Sequence, residues 1–151
     1  MDNIHAAGHI PVAAAGNDNV ETLFIAPASC DDVITVGAMD KDGKLADFSN
    51  YGHAIDVVAP GVEVYAEGTP YGMPEDVQMK AVNGTSFAAP IVSGLIAETK
   101  RHFPELNFKM AELLLKQTAF DPMLNNSPRC EGGKCGAGRI DGEEFFLAVE
   151  A

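Results

Sequence analysis

The sequence predicts an α/β domain built on a mostly parallel sheet, and three observations carry that prediction. The first half holds short, unbroken apolar runs at residues 10–15 and 33–38, a pattern that suits strands covered on both faces. The second half holds longer segments with helical spacing of apolar positions. Strands followed by helices able to cover them make layers around one core. At 151 residues the chain has room for one such domain, able to bury about 70% of its unfolded surface.

Taken in order, residues 10–15 form a buried strand closed by Gly16, Asn17, Asp18 and Asn19, a turn-forming run. Residues 33–38 form the second strand. Asp40-Lys41-Asp42-Gly43-Lys44 is a hairpin turn in which Gly43 takes positive φ. It also half-matches a calcium-binding loop, but Tyr51 stands where the bidentate Glu belongs, so no metal is expected. Residues 55–59 and 62–66 are further strands, separated by Pro60-Gly61. A polar loop at 67–78 leads to a short strand near 79–82. Residues 85–101 form a helix rich in small residues, with Pro90 tolerable only near its first turn. Residues 106–118 form an amphipathic helix with Asn107 as N-cap and Met110, Leu113, Leu114 and Gln117 on its buried face. Residues 121–138 are loop, and a last helix covers 142–149.

Composition excludes several functions. Hydrophobic residues at 46% and charged residues at 21% are those of a globular domain rather than a disordered tail or coiled coil. Ten Lys and Arg against 22 Asp and Glu give a net charge of −12, which repels a phosphate backbone and argues against nucleic-acid binding. No apolar stretch approaches the ~20 residues needed to span a bilayer. Residues 1–5 show neither a basic nor an apolar leader region, so an export signal would lie upstream or have been removed. Cys130 and Cys135 bracket Glu-Gly-Gly-Lys. Two glycines let that loop reverse, so the two cysteines are expected to form a disulfide, which implies an oxidising compartment. Cys30 stands alone and is expected to be a buried free thiol.

The most informative segment is Gly84-Thr85-Ser86-Phe87-Ala88-Ala89-Pro90. A serine at a helix mouth sits beside unpaired backbone N–H groups, which can stabilise an oxyanion forming next to its oxygen. Taken alone, the segment also fits a plain N-capping Thr or Ser. An α/β-hydrolase is excluded by residue order. Ala88 replaces the second glycine of its serine motif, and Glu98 and His102 lie on the same helix as Ser86 and cannot fold back onto it.

At these residues the chain resembles the subtilisin-like serine proteases, or subtilases (peptidase family S8). Asn83 to Pro90 is similar to the family's serine motif. Ala14-Ala15-Gly16-Asn17 resembles the strand end carrying its oxyanion-hole asparagine. Val33 to Ala38, then Phe48-Ser49-Asn50-Tyr51-Gly52, look like its next core segments. Val57-Val58-Ala59-Pro60-Gly61 resembles its Ala-Pro-Gly turn, and Gly136 to Asp141 its closing turn into the last helix. The resemblance implies a subtilisin-like three-layer αβα fold. It implies Ser86 as nucleophile, Asn17 as oxyanion donor, and Ala13, Ala14, Ala15 and Gly16 as one wall of a substrate pocket. It implies no cofactor.

The family's aspartate and histidine motifs should precede Ala13, where only twelve residues stand. His5 and His9 read instead as a helix end and the following loop, and His53 and His102 as surface residues. Residues 1–151 are therefore expected to be the C-terminal part of a subtilase catalytic domain. One reading is a secreted or periplasmic endopeptidase that is inactive as this chain alone. Its partners would be a peptide or protein substrate and the Asp- and His-bearing half, or a second copy through an exposed sheet edge. The other reading is a non-catalytic module that keeps the same core for binding or assembly.

Overall fold

The computed structural model of the chain describes residues 2–68, 77–120 and 127–150. Parts of the expected loops at 67–78 and 121–138 lie outside the described residues. The elements are α1 (Asp2–Ala6), β1 (Val12–Ala14), β2 (Ile34–Met39), β3 (Val57–Pro60), β4 (Val64–Gly68) and β5 (Gln78–Val82), then α2 (Thr85–His102), α3 (Phe108–Thr118) and α4 (Gly142–Glu150).

Strands β1, β2 and β3 form one parallel sheet in that order, with Val12 opposite Ile34 and Val36 opposite Val57. Every residue of β2, the central strand, is buried, as its unbroken apolar run requires. Strands β4 and β5 pair antiparallel with each other, as a separate ribbon. The hairpin turn after β2 forms as expected. The Asp40 carboxylate accepts from the Asp42 and Lys44 amides, and Gly43 has φ 78°.

Side chains alternate across the sheet. Ile34, Val36, Ala38, Val57 and Ala59 face the helices, packing with Ala88, Val92 and Ile96 of α2 and Phe108, Ala111 and Leu115 of α3. Phe145 of α4 closes this core. On the opposite face Ala15, Met39, Leu45, Ile55 and Val58 pack with Cys130 and Cys135, so among the described residues a cross-linked loop covers that side. The disulfide forms as expected, with Cα atoms 4.8 Å apart.

Two expectations need correction. The buried face of α3 is Phe108, Ala111 and Leu115, with Leu114 packed half-buried beside it as expected, whereas Met110, Leu113 and Gln117 are exposed. The cause is the N-terminal anchor. Asn107 caps the helix by accepting from the Met110 amide at 3.1 Å, and buried Leu106 before it joins Ala111 in the core. This pairing across the cap fixes the rotation of the helix about its axis. Helix α2 starts at Thr85 as expected, which puts Pro90 sixth, just past the first turn, where the helix forgoes one amide. Cys30 is free but exposed, because the segment carrying it runs along the surface after Pro27, with its amide bonded to the Pro27 carbonyl at 3.0 Å.

Candidate active site

Ser86 stands exposed in the first turn of α2, and Asn17 stands exposed just past the end of β1. The parallel sheet brings these distant residues together. Strand β1 and helix α2 pack against each other, so the end of the strand meets the start of the helix. The helix begins at Gly84, whose φ of 151° and ψ of 153° lie where residues with a Cβ are strained. Its amide is fastened to the Gly61 carbonyl at 2.8 Å, so the Pro60-Gly61 turn anchors the helix mouth.

Thr85 joins the two segments. Its amide donates to Asn17 Oδ1 at 2.8 Å, and its hydroxyl donates to the same oxygen at 2.9 Å. The hydroxyl in turn accepts from the Gly16 amide at 3.1 Å. With Oδ1 held twice, the Asn17 amide nitrogen turns toward the helix mouth. A Cβ placed on Gly84 would lie 3.6 Å from Asn17 Nδ2 and 3.7 Å from the Ser86 nitrogen. The Asn17 side-chain nitrogen and the Ser86 backbone nitrogen thus both lie beside Gly84. No acceptor among the described residues takes the Ser86 N–H. The plain N-cap reading of this segment is therefore corrected. Gly84 is the N-cap position and has no side chain to cap with; the first amide of the helix is taken instead by Asn17 Oδ1, and the Thr85 hydroxyl is committed to the Gly16–Asn17 turn.

Residues 13–16 are placed less simply. Ala13 and Ala15 are buried, and Ala14 and Gly16 are half-buried. Ala14 packs against the helix-side core and Ala15 against the opposite one. What this segment can offer a ligand is backbone. Strand β1 is also an edge, hydrogen-bonded to β2 alone among the described strands.

Asn50, quoted above only as part of a core segment, organises the turn. It is fully buried. Its Oδ1 accepts from the Asp18 amide at 3.0 Å and the Val20 amide at 3.1 Å, while its Nδ2 donates to the Ala15 carbonyl at 2.9 Å. Its own amide donates to the Gly16 carbonyl at 3.0 Å. Nothing in the sequence distinguishes this asparagine from a surface one. The only available signal was its position inside an otherwise recognisable segment.

The histidines lie elsewhere. His5 stacks on Phe108 with ring centroids 4.2 Å apart, and His9 and His53 are exposed. His102 ends α2, about 24 Å along the helix axis from Ser86. None of the four hydrogen-bonds to Ser86. The shifted ionisable groups also sit apart from it. Burial pushes the Asp56 carboxyl above the usual carboxylate range, and Lys116 at 2.7 Å with the Thr35 amide at 2.6 Å offset this only in part. Burial pulls the Lys116 ammonium down, but Asp56 and Glu112 together hold it above the ordinary lysine value. Hydrogen bonding to Lys134 holds the Glu21 carboxyl below its usual range.

The sequence matches the model of the Subtilase family over residues 1–134. It is 45% identical over 97 residues to a cuticle-degrading serine protease of Arthrobotrys oligospora, an alignment covering 64% of this chain and 23% of that protein. It is 35% identical over 150 residues to an extracellular protease of Xanthomonas campestris pv. campestris, covering 94% of this chain and 24% of that protein. A solved protease structure from Pseudoalteromonas arctica superposes with a TM-score of 0.86 at 30% identity, covering 98% of this chain and 45% of the other. The chain thus spans about a quarter of these curated relatives and under half of that solved structure. No described helix is long and apolar enough to cross a membrane.

Proposed function

The chain belongs to the subtilase family, and from that premise we propose that it carries the nucleophile and the oxyanion site of a serine endopeptidase. Ser86 Oγ attacks the carbonyl carbon of a peptide bond. The oxyanion that develops is held by the Ser86 N–H and Asn17 Nδ2. The amine departs with a proton, and water then hydrolyses the acyl-enzyme. The observation that carries this reading is the double fastening of Asn17 Oδ1 by Thr85, with the Asn17 amide nitrogen and the Ser86 nitrogen both beside Gly84. Donors fixed before the reaction need no reorganisation during it.

The base that takes the Ser86 proton and the aspartate that orients it come from outside residues 1–151. The free edge of β1 is the natural seat for that part of the domain, since an unpaired strand edge is a template for another strand. Without it, the same edge favours self-association. The backbone of residues 13–16 forms one wall of the pocket that receives the substrate. The disulfide and the extracellular relative support a secreted or periplasmic location.

A fluorophosphonate probe tests the reading. It should label Ser86 when this chain is assembled with an Asp- and His-bearing half, and labelling should vanish in Ser86→Ala. The chain by itself should stay unlabelled, because a hydroxyl without a base is a weak nucleophile at neutral pH. Equal labelling of the chain alone would overturn the assignment of the base to another segment. An assembled protein that stays unlabelled would favour a non-catalytic binding module.

A further inference from the structure

We infer that the disulfide-closed loop around Cys130 and Cys135 is a clamp that positions the oxyanion asparagine, with Arg129 as its principal grip. The inference rests on the role proposed for Asn17, but its geometry is separate from that site. The Arg129 guanidinium donates to Asn19 Oδ1 at 2.7 Å. It also donates to the backbone carbonyls of Leu45 at 3.3 Å, Ala46 at 3.3 Å, Asp47 at 3.1 Å and Ser49 at 3.5 Å. One planar fork thus gathers a curved row of carbonyls and the side chain of the turn that follows Asn17. A lysine, as a point charge with three donors, cannot reproduce that pattern.

Asn19 is where the turn needs holding. Its φ of 54° is left-handed, a conformation that asparagine tolerates but does not prefer. Its amide is bonded to the Phe48 carbonyl at 3.0 Å, so Arg129 ties both the residue and the segment beneath it. The other side of the same loop grips the next part of the turn. The Gly52 amide donates to the Lys134 carbonyl at 2.6 Å, and Lys134 Nζ pairs with Glu21 at 2.5 Å. Arg129 directly precedes Cys130 and Lys134 directly precedes Cys135, so the disulfide sets the spacing between the two grips. Asn17 is two residues from Asn19 and shares its turn, which makes Arg129 a positioning residue that acts through Asn17.

The test uses Arg129→Lys, with Cys130→Ala/Cys135→Ala as a second variant. Amide hydrogen exchange on the chain should show protection at Asp18, Asn19 and Val20 falling by about tenfold in either variant while α3 keeps its protection. In the assembled protease, Arg129→Lys should lower kcat by about ten- to hundredfold with KM unchanged. In an Asn17→Ala background the same substitution should have no further effect on kcat, because two residues acting through one group are not additive. Unchanged exchange at 18–20, or a loss spread evenly over the chain, would overturn the clamp whether or not the protein proves to be a protease. Full additivity with Asn17→Ala would reduce Arg129 to a structural residue. Failure of the wild-type assembly to react with the probe would instead count against the protease reading, and the exchange result would still decide the clamp.

Discussion

Replacing Asn50 by alanine should loosen the turn that presents Asn17 more than any other single change outside the reacting groups. The side chain is fully buried and makes three hydrogen bonds, two accepted from the Asp18 and Val20 amides and one donated to the Ala15 carbonyl. Each contributes about 1 kcal/mol net, so their loss should destabilise the domain by about 3 kcal/mol. For a chain of this size that lowers Tm by roughly 6–12 °C. Urea denaturation and thermal melting give the magnitude, and hydrogen exchange at Asp18 and Val20 locates it. Asn50→Asp separates the contributions. It keeps an acceptor for both amides and turns only the Ala15 contact repulsive, so protection at 18 and 20 should persist while stability still falls. An Asn50→Ala variant that melts within about 2 °C of the parent, with both amides still protected, would refute the reasoning.

Three further outcomes are expected. Asp56→Ala removes the acceptor of the buried Thr35 amide and one of the two carboxylates on Lys116, and should cost about 3 kcal/mol by urea denaturation; Asp56→Asn, which can still accept from Thr35, should recover most of it, and equal losses would contradict this. Gly136→Ala should destabilise by more than about 2 kcal/mol, because its Cβ would enter the Asp56 carbonyl and stand 2.8 Å from the Ile55 oxygen. Gly132→Ala has the same φ of 70° but open space around it, so it should cost about 1 kcal/mol; comparable melting curves for the two would remove the steric argument. In native protein iodoacetamide should alkylate Cys30 alone, since it is exposed and unpaired while Cys130 and Cys135 are bridged; mass spectrometry showing three modified thiols without reductant would contradict the disulfide.

The strands and helices were largely legible in the sequence, and so was the segment that begins α2, because they follow from local chemistry. Six consecutive buried positions make β2 a central strand wherever it pairs, Asn107 starts a helix by its own side chain, and Ser86 stands two residues after a glycine that can take the backbone angles of a helix mouth. The same local reading went wrong wherever a distant partner decides. The buried face of α3 depends on Leu106 entering the core, which rotates the helix away from the face expected from Met110 and Leu113. Cys30 is apolar enough to bury, but the path of the chain after Pro27 leaves it in solvent. Thr85 looked like a cap until a turn 68 positions away in sequence supplied a better acceptor. Arg129 carried no signal at all and Asn50 only its place in a recognisable segment, since a polar side chain reveals its task only through the backbone groups it meets. Those groups, the amides of Asp18 and Val20 and the carbonyls of residues 45–49, are present in every sequence and are gathered only by the fold. The sequence by itself therefore determined where the strands and helices form and which segments stand at their ends. The tertiary structure alone decided which side chains hold those segments in place, because backbone hydrogen-bonding capacity is uniform along a chain and becomes specific only when distant segments meet.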